Sequence, residues 1–170
     1  MNRRPCSPAT MRRCAFSPTT DGREIEAELV YVPGNQAAGI TELFSDQRTA
    51  AGQDLRGKIV MTEGLGIAAR GFDLAESGAV AALFINPGHR IHEGITTTAW
   101  GSPDLTSLDR TPPVPIMTIN RPDGEELIDQ LRNGPARVDF SNQTDTGRRA
   151  LHGNVLENER GGGQGRLQRL

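Results

Sequence analysis

Apolar and polar positions form two kinds of pattern along this chain, short alternating stretches and two nearly continuous apolar runs. The runs cover residues 58–62 and 79–85. Between them, Ile67, Phe72 and Ala75 share one face of a helix. Strands joined by a helix of this length lie parallel, with a right-handed crossover. The sequence therefore predicts a strand–helix–strand unit with both strands covered on both faces.

Three further stretches read as strands. Residues 24–32 alternate polar and apolar side chains, which is typical of a half-buried strand, and residues 136–140 alternate again. Residues 114–119 form a third stretch, where Pro115 favours a sheet edge or the start of a strand. The pattern of residues 37–48 is compatible with more than one structure.

A second helix follows residue 119 and carries clear start and stop features. Asn120 is a suitable N-cap and Pro122 fits the first turn. Leu127, Ile128 and Leu131 form its apolar stripe, and Asn-Gly-Pro ends it directly after residue 132.

Length and composition predict one domain with two tails. The 170 residues suffice for one hydrophobic core. Residues 1–22 show no periodic spacing of apolar side chains, which predicts a disordered tail. The domain then covers residues 23–156. Residues 157–170 are predicted to be a flexible tail rich in Gly and Arg.

Charge is distributed unevenly and excludes some function classes. Residues 1–23 and 148–170 carry net charges of +4 and +3, so the body between them carries about −9. An acidic body argues against a nucleic-acid groove. No apolar run approaches the roughly 20 residues that a membrane span needs.

Both cysteines, Cys6 and Cys14, lie in the predicted N-terminal tail. They are expected to be free thiols, although a loop disulfide between them is the alternative. A second pair that would complete a tetrahedral zinc site is missing from the sequence. The redox compartment stays open.

The turn after the first apolar run matches G-x-G-x-x-A from Gly64 to Ala69. In dinucleotide-binding proteins such a turn directs backbone N–H groups at a pyrophosphate. The acidic residue that should follow the next strand is replaced by Asn86. The sequence therefore favours a tight turn that needs small residues over a nucleotide site.

The long segment 86–113 carries the other candidate residues. His89 and His92 precede Glu93 in the order H-x-x-H-E, whereas zinc peptidases of the H-E-x-x-H type need the Glu between two helical histidines. We expect exposed loop histidines. Trp100 either covers the core or anchors a contact, so His89, His92 and Trp100 define a candidate contact loop. No catalytic, metal or cofactor-binding residue is predicted.

Several segments, in order, resemble a protease-associated (PA) domain, in the version inserted in M28-family zinc aminopeptidases. The segments are DLRGKIVMTEG, RGFDLAESGAVAALFINP, HEGITTTAWGSP, PPVPIMTINRPDGEELIDQL and GPARVDF, followed by the DTG of residues 145–147. The similarity covers residues 24–155.

The resemblance implies an α+β swivelling fold, with a small open barrel-like sheet, one parallel βαβ unit and two flanking helices. It implies a non-catalytic role, in which the domain shapes substrate access or mediates protein contacts. The expected partners are a peptidase domain or a protein or peptide substrate, with no nucleic acid and no membrane span. Members of this family are often secreted or periplasmic.

In these peptidases the zinc ligands follow the PA segment on a separate domain. Here Asn154 and Val155 resemble the return to that domain, and ERGGGQGRLQRL follows. We therefore expect a truncated or stand-alone PA-like domain that lacks the paired-zinc site. The alternatives are a fragment of a zinc aminopeptidase and a small nucleotide-binding module that uses Gly64 and Gly66.

Overall fold

The computed structural model describes residues 11–20, 23–34, 54–92, 94–97, 106, 110–140 and 166–168. The strands in these ranges are β1 (Met11–Arg13), β2 (Ile25–Tyr31), β3 (Ile59–Glu63), β4 (Ala81–Ile85), β5 (Ile116–Ile119), β6 (Ala136–Phe140) and β7 (Arg166–Gln168). The helices are α1 (Ala68–Glu76) and α2 (Arg121–Arg132). The strands form one sheet in the order β1-β5-β4-β3-β2-β6-β7.

The sheet combines a parallel centre with antiparallel edges. Strands β2, β3, β4 and β5 pair in parallel, while β1, β6 and β7 join by antiparallel ladders. The predicted strand–helix–strand unit is β3–α1–β4, with Val60 opposite Ala82. The predicted fold class is confirmed, because the sheet is mixed, curled and open and carries two helices. Parallel pairing extends beyond the predicted unit on both sides.

The two helices cover opposite faces of the sheet. On β3, Ile59 and Met61 belong to the apolar cluster that contains Leu127 of α2, whereas Val60 belongs to the cluster that contains Leu74 of α1. Every residue of β3 and β4 is buried. The continuous apolar runs therefore have the physical origin that the sequence predicted.

Helix α2 begins and ends where its sequence predicts. The Asn120 side chain accepts a hydrogen bond from the Asp123 N–H at 2.8 Å, which satisfies one of the free donors of the first turn. Leu127 is buried, and Ile128 and Leu131 pack against the same cluster. The helix ends at Arg132, one residue before the predicted Asn-Gly-Pro stop.

Residues 11–17 form an ordered segment, which we name the N-terminal hook. The prediction of disorder over residues 1–22 is wrong for residues 11–20, because Met11–Arg13 pairs with β5 and Cys14 is fully buried. Arg13 also points inward, and its guanidinium donates to the Ser17 carbonyl at 3.0 Å. A charged residue at an inward position hides the alternation by which a strand is identified.

The C-terminal tail also differs from its prediction at one point. Residues Arg166–Gln168 pair with β6, so the predicted flexible tail over 157–170 is wrong for these three residues. The remainder of that tail, the segment 37–48 and Cys6 lie outside the described residues. Within the described ranges, no helix is long and apolar enough to cross a membrane.

Candidate functional site

Three polar residues mark the edge at which the central parallel strands end. Glu63 is the last residue of β3, Asn86 follows β4, and Asn120 follows β5. Asn86 is fully buried and Glu63 is 6% exposed. Open sheets with parallel strands bind ligands outside this carboxyl edge, so we treat it as the candidate functional site.

Asn86 connects two segments of this edge through its side chain. Its amide nitrogen donates to the Gly64 carbonyl at 3.2 Å, and its amide oxygen accepts from the His92 N–H at 2.6 Å. Its backbone N–H donates to the Ile119 carbonyl at 2.9 Å. One buried residue therefore fixes the turn after β3, the end of β5 and the loop after β4.

Two of the three predicted contact residues lie on the loop that Asn86 holds. His89 and His92 are both exposed, as the sequence predicted. The Gly88 carbonyl accepts from the Arg121 N–H at 2.9 Å, which ties the loop to the start of α2. Trp100 lies outside the described residues. A contact role for these residues stays a prediction.

Glu63 is the centre of a polar cluster that joins β2 to β3. One carboxylate oxygen accepts from the Tyr31 hydroxyl, and the other accepts from the Gly34 N–H at 2.7 Å. Burial, followed by the hydrogen bond to Glu63, raises the pKa of Tyr31 to about 12. Both oxygens of Glu63 are thus used to hold the chain after β2 against the end of β3.

Arg70 is a residue of helix α1, and its side chain contacts the same edge from the face of the sheet that α1 covers. Its guanidinium donates to the Glu63 carbonyl at 2.7 Å and lies 4.9 Å from the centre of the Phe84 ring. Burial lowers the pKa of Arg70 below its usual range. The stacked cation therefore fastens α1 to the ends of β3 and β4.

The glycine turn at the start of α1 is filled by neighbouring parts of the protein. A Cβ added to Gly66 would lie 2.6 Å from the Cys14 sulfur and 2.9 Å from an Ile116 methyl carbon. A Cβ added to Gly94 would lie 2.1 Å from the Gly66 carbonyl oxygen. Close packing therefore accounts for the absence of a side chain at Gly66 and at Gly94. The interpretation of residues 64–69 as a tight turn and not a nucleotide site stays a prediction.

Metal-ligating side chains are scattered in the described part of the chain. No group of three or more His, Cys, Asp or Glu residues there is placed to hold a metal ion. Glu93, the remaining member of the H-x-x-H-E pattern, lies outside the described residues. The expectation that this chain holds no zinc stays a prediction.

A groove of about 380 Å³ lies between β2 and the second half of α2. Its lining comprises Glu28, Leu29, Val30, Tyr31, Ile128, Leu131, Arg132 and Pro135. Tyr31 therefore contributes both to this groove and to the Glu63 cluster.

The sequence did not identify Asn86 or Glu63 as parts of the site. In the sequence, Asn86 stands out only as a replacement for the acidic residue of a dinucleotide-binding unit, and Glu63 is simply the residue after an apolar run. One feature was available, since Glu63 is a charged residue placed directly against buried strand positions and a glycine turn. Charged residues in such positions are rarely buried unless they are paired.

No protein-family model matches the sequence, and no curated protein matches it either. Similar solved structures include an aminopeptidase from Aneurinibacillus sp. strain AM-1, with 20% identity, a TM-score of 0.48 and coverage of 85% of this chain and 37% of that chain. A zinc aminopeptidase from Bacillus subtilis has 15% identity and a TM-score of 0.47, and the match covers 82% of this chain and 32% of that chain. A peptidase M28 precursor from Shewanella amazonensis SB2B has 14% identity and a TM-score of 0.45, and the match covers 78% of this chain and 34% of that chain.

This chain spans about a third of the length of each of these three structures. At these identities and TM-scores the similarity does not assign a family.

Proposed function

We propose that this chain is a non-catalytic, protease-associated type of domain that binds polypeptide through the loop at its carboxyl edge. The ordered series of sequence segments that resemble a PA domain supports the family, and the α+β fold agrees with it. The contact surface that we propose contains His89 and His92, together with Trp100 as predicted from the sequence.

The single observation that carries this proposal is the pair of hydrogen bonds made by Asn86. One of them holds the His92 backbone to the fully buried Asn86, and the other ties Asn86 to the Gly64 carbonyl, while His92 itself is exposed. Binding residues commonly lie on loops that a rigid scaffold positions. A loop held in this way loses little conformational entropy on binding, which favours a contact function.

The polar groups behind the loop support a structural role for the edge itself. Glu63 accepts hydrogen bonds at both carboxylate oxygens, and Asn120 caps α2. Arg70 is stacked on Phe84. In our proposal these groups build the scaffold, and the exposed loop makes the contact.

The test is an amide-resolved titration of the isotope-labelled chain with a tryptic digest of casein as the probe. We expect shifts of the Gly88 to His92 amides that saturate, and weaker shifts in the double variant His89→Ala, His92→Ala. His152→Ala is the matched control, because it removes the remaining histidine, which lies outside this loop. Unchanged spectra at the highest peptide concentration would contradict the proposal. Hydrolysis of leucine p-nitroanilide after zinc addition would contradict it as well.

The second hypothesis places the same domain beside the catalytic domain of a zinc aminopeptidase, where the loop would border the substrate path. The DTG at residues 145–147 and Asn154-Val155 favour it, because they resemble the return to a peptidase domain. Sequencing the source DNA beyond the codon for Leu170 separates the two hypotheses. An open frame that encodes His and Asp metal ligands supports the peptidase, and a stop without such a frame supports the single domain.

A further inference from the structure

Ile95 is the large apolar side chain that is exposed in the described part of the chain, with 40% of its surface accessible. Its neighbours Gly94 and Thr96 are buried, as expected where an extended backbone directs successive side chains to opposite sides. Single exposed apolar residues are common on protein surfaces. The surroundings of Ile95 therefore decide whether it serves a function.

The backbone on both sides of Ile95 is fixed by Ala15 of the N-terminal hook. The Ala15 N–H donates to the Gly94 carbonyl at 2.9 Å, and the Ala15 carbonyl accepts from the Thr96 N–H at 3.0 Å. The Thr96 hydroxyl donates to the same carbonyl at 2.9 Å. Three hydrogen bonds thus hold the backbone around an exposed apolar residue, which lowers the conformational entropy that this residue loses on binding a partner.

Ile95 lies near the same turn as His92, the turn of residues 64–66. The Asn86 side chain bonds one end of this turn to the His92 backbone. Gly94 packs against the carbonyl at the other end, so closely that an added Cβ would lie 2.1 Å from that oxygen. The exposed residues His92 and Ile95 therefore flank one turn at the carboxyl edge of the sheet.

Arg90 provides a positive charge on this surface. It is exposed, and among the described residues its guanidinium has no hydrogen-bond or ion-pair partner. Arg121, at the start of the helix that the loop contacts, is instead paired with Glu125 at 3.6 Å. His89 and His92 lie on either side of Arg90 in the sequence, and each has a ring N–H donor. These donors match the oxygens of a carboxylate.

We propose that the partner of this surface is an acidic polypeptide segment that packs an apolar side chain on Ile95 and binds Arg90 through its carboxylates. The inference rests on the peptide-binding function proposed above and names the class of its ligand. The net charge of about −9 on residues 24–147 repels such a segment from the rest of the domain, which confines it to this loop. Arginine is enriched among the residues that dominate binding energy, and apolar neighbours strengthen its ion pairs by excluding water.

The test uses the isotope-labelled full chain at pH 7 and low ionic strength, with the acetylated and amidated pentapeptide Glu-Glu-Leu-Glu-Glu as the probe. Three comparison peptides carry Gln for Glu, Lys for Glu, or Ala for Leu. The amide signals of residues 88–92 and 94–96 report binding. We expect the acidic peptide to bind about fivefold tighter than the Gln peptide and about tenfold tighter than the Lys peptide. The Ala peptide should bind about fivefold more weakly than the acidic peptide.

Three variants with exposed substitutions separate the charged and apolar contacts. Arg90→Gln should weaken binding of the acidic peptide about threefold and leave the Gln peptide unaffected. Ile95→Ala should weaken both peptides by the same factor, because it removes apolar contact area and no charge. Arg132→Gln is the matched control, since it removes an exposed charge at the other end of α2, about 17 Å from Arg121. It should leave all affinities unchanged.

The outcomes distinguish this inference from the function on which it rests. Equal binding of the acidic, Gln and Lys peptides would overturn the acidic partner, while saturating shifts with the casein digest would leave the peptide-binding function intact. Acidic-peptide shifts outside residues 88–96, or affinities that neither Arg90→Gln nor Ile95→Ala changes, would overturn the inference as well. If neither the casein digest nor any pentapeptide shifts a signal, both the inference and the peptide-binding function are wrong.

Discussion

The side-chain oxygen of Asn86 accepts a 2.6 Å hydrogen bond from the backbone N–H of His92, and this contact fixes an exposed loop to the buried end of β4. The carboxyl edge thus combines a rigid interior with an accessible surface.

Asn86→Ala is expected to destabilise the chain by about 2–4 kcal/mol, because the Gly64 carbonyl loses its partner in a buried site and the His92 N–H loses its partner in a part-buried one. Urea unfolding provides the free energy of unfolding. Asn133→Ala is the control. It removes an exposed bond to the Asp129 carbonyl and should cost less than about 1 kcal/mol. Equal losses of unfolding free energy in the two variants would show that the Asn86 contacts stabilise the protein no more than an exposed hydrogen bond does.

Tyr31 is the one tyrosine in the chain, so its phenolate absorbance reports a single group. We expect a titration midpoint near pH 12 in the folded protein and near pH 10 in urea. Because the folded pKa is the higher one, the contribution of Tyr31 to stability is complete below about pH 10. It is lost as the pH rises toward 12.

Glu63→Gln should move the Tyr31 midpoint back toward its ordinary value, because the neighbouring negative charge is removed and the glutamine remains uncharged. Glu126→Gln, on the exposed face of α2, is the control and should leave the midpoint unchanged. If the Tyr31 midpoint is the same in Glu63→Gln as in the unsubstituted protein, burial alone raises the pKa of Tyr31.

Gly94→Ala is expected to cost about 3 kcal/mol, because the added methyl group meets the Gly66 backbone rather than a movable side chain. Gly88→Ala is a useful comparison. Its surroundings are open but its φ is +87°, so the cost should be about 1–2 kcal/mol from backbone strain. Thermal or urea unfolding should rank Gly94→Ala as the more damaging change, and the reverse order would contradict the close packing.

Cys14 should react with iodoacetamide about 100-fold more slowly in the native chain than in urea, because alkylation requires the hook to open locally. Mass spectrometry of the peptide that contains Cys14 gives the rate directly. Comparable rates in both conditions would show that the hook is not held in solution.

The strand–helix–strand centre and helix α2 were predictable because their patterns are local. Continuous apolar runs, the Asn120 cap and the stripe at Leu127 each lie within a few residues of the structure that they specify. The pairing of β5 with β4 and of β2 with β3 was not predictable in the same way. Sheet neighbours are chosen by packing between distant segments, which a single sequence does not display.

The candidate site was predicted less completely than the fold. The exposure of His89 and His92 followed from their place in an aperiodic segment. The role of Asn86 did not, because its partners Gly64 and His92 come close only after the strands have paired. The hook was missed because Arg13 occupies an inward position and its strand is only three residues long.

The pairing of the hook with β5 has a consequence for the order of events during protein synthesis. Arg12 and Thr118 are 106 residues apart, so at ribosomal rates of roughly 5–20 residues per second the first strand emerges about 5–20 s before its partner. In that interval the hook has no partner strand, so this edge of the sheet can close only after β5 has left the ribosome.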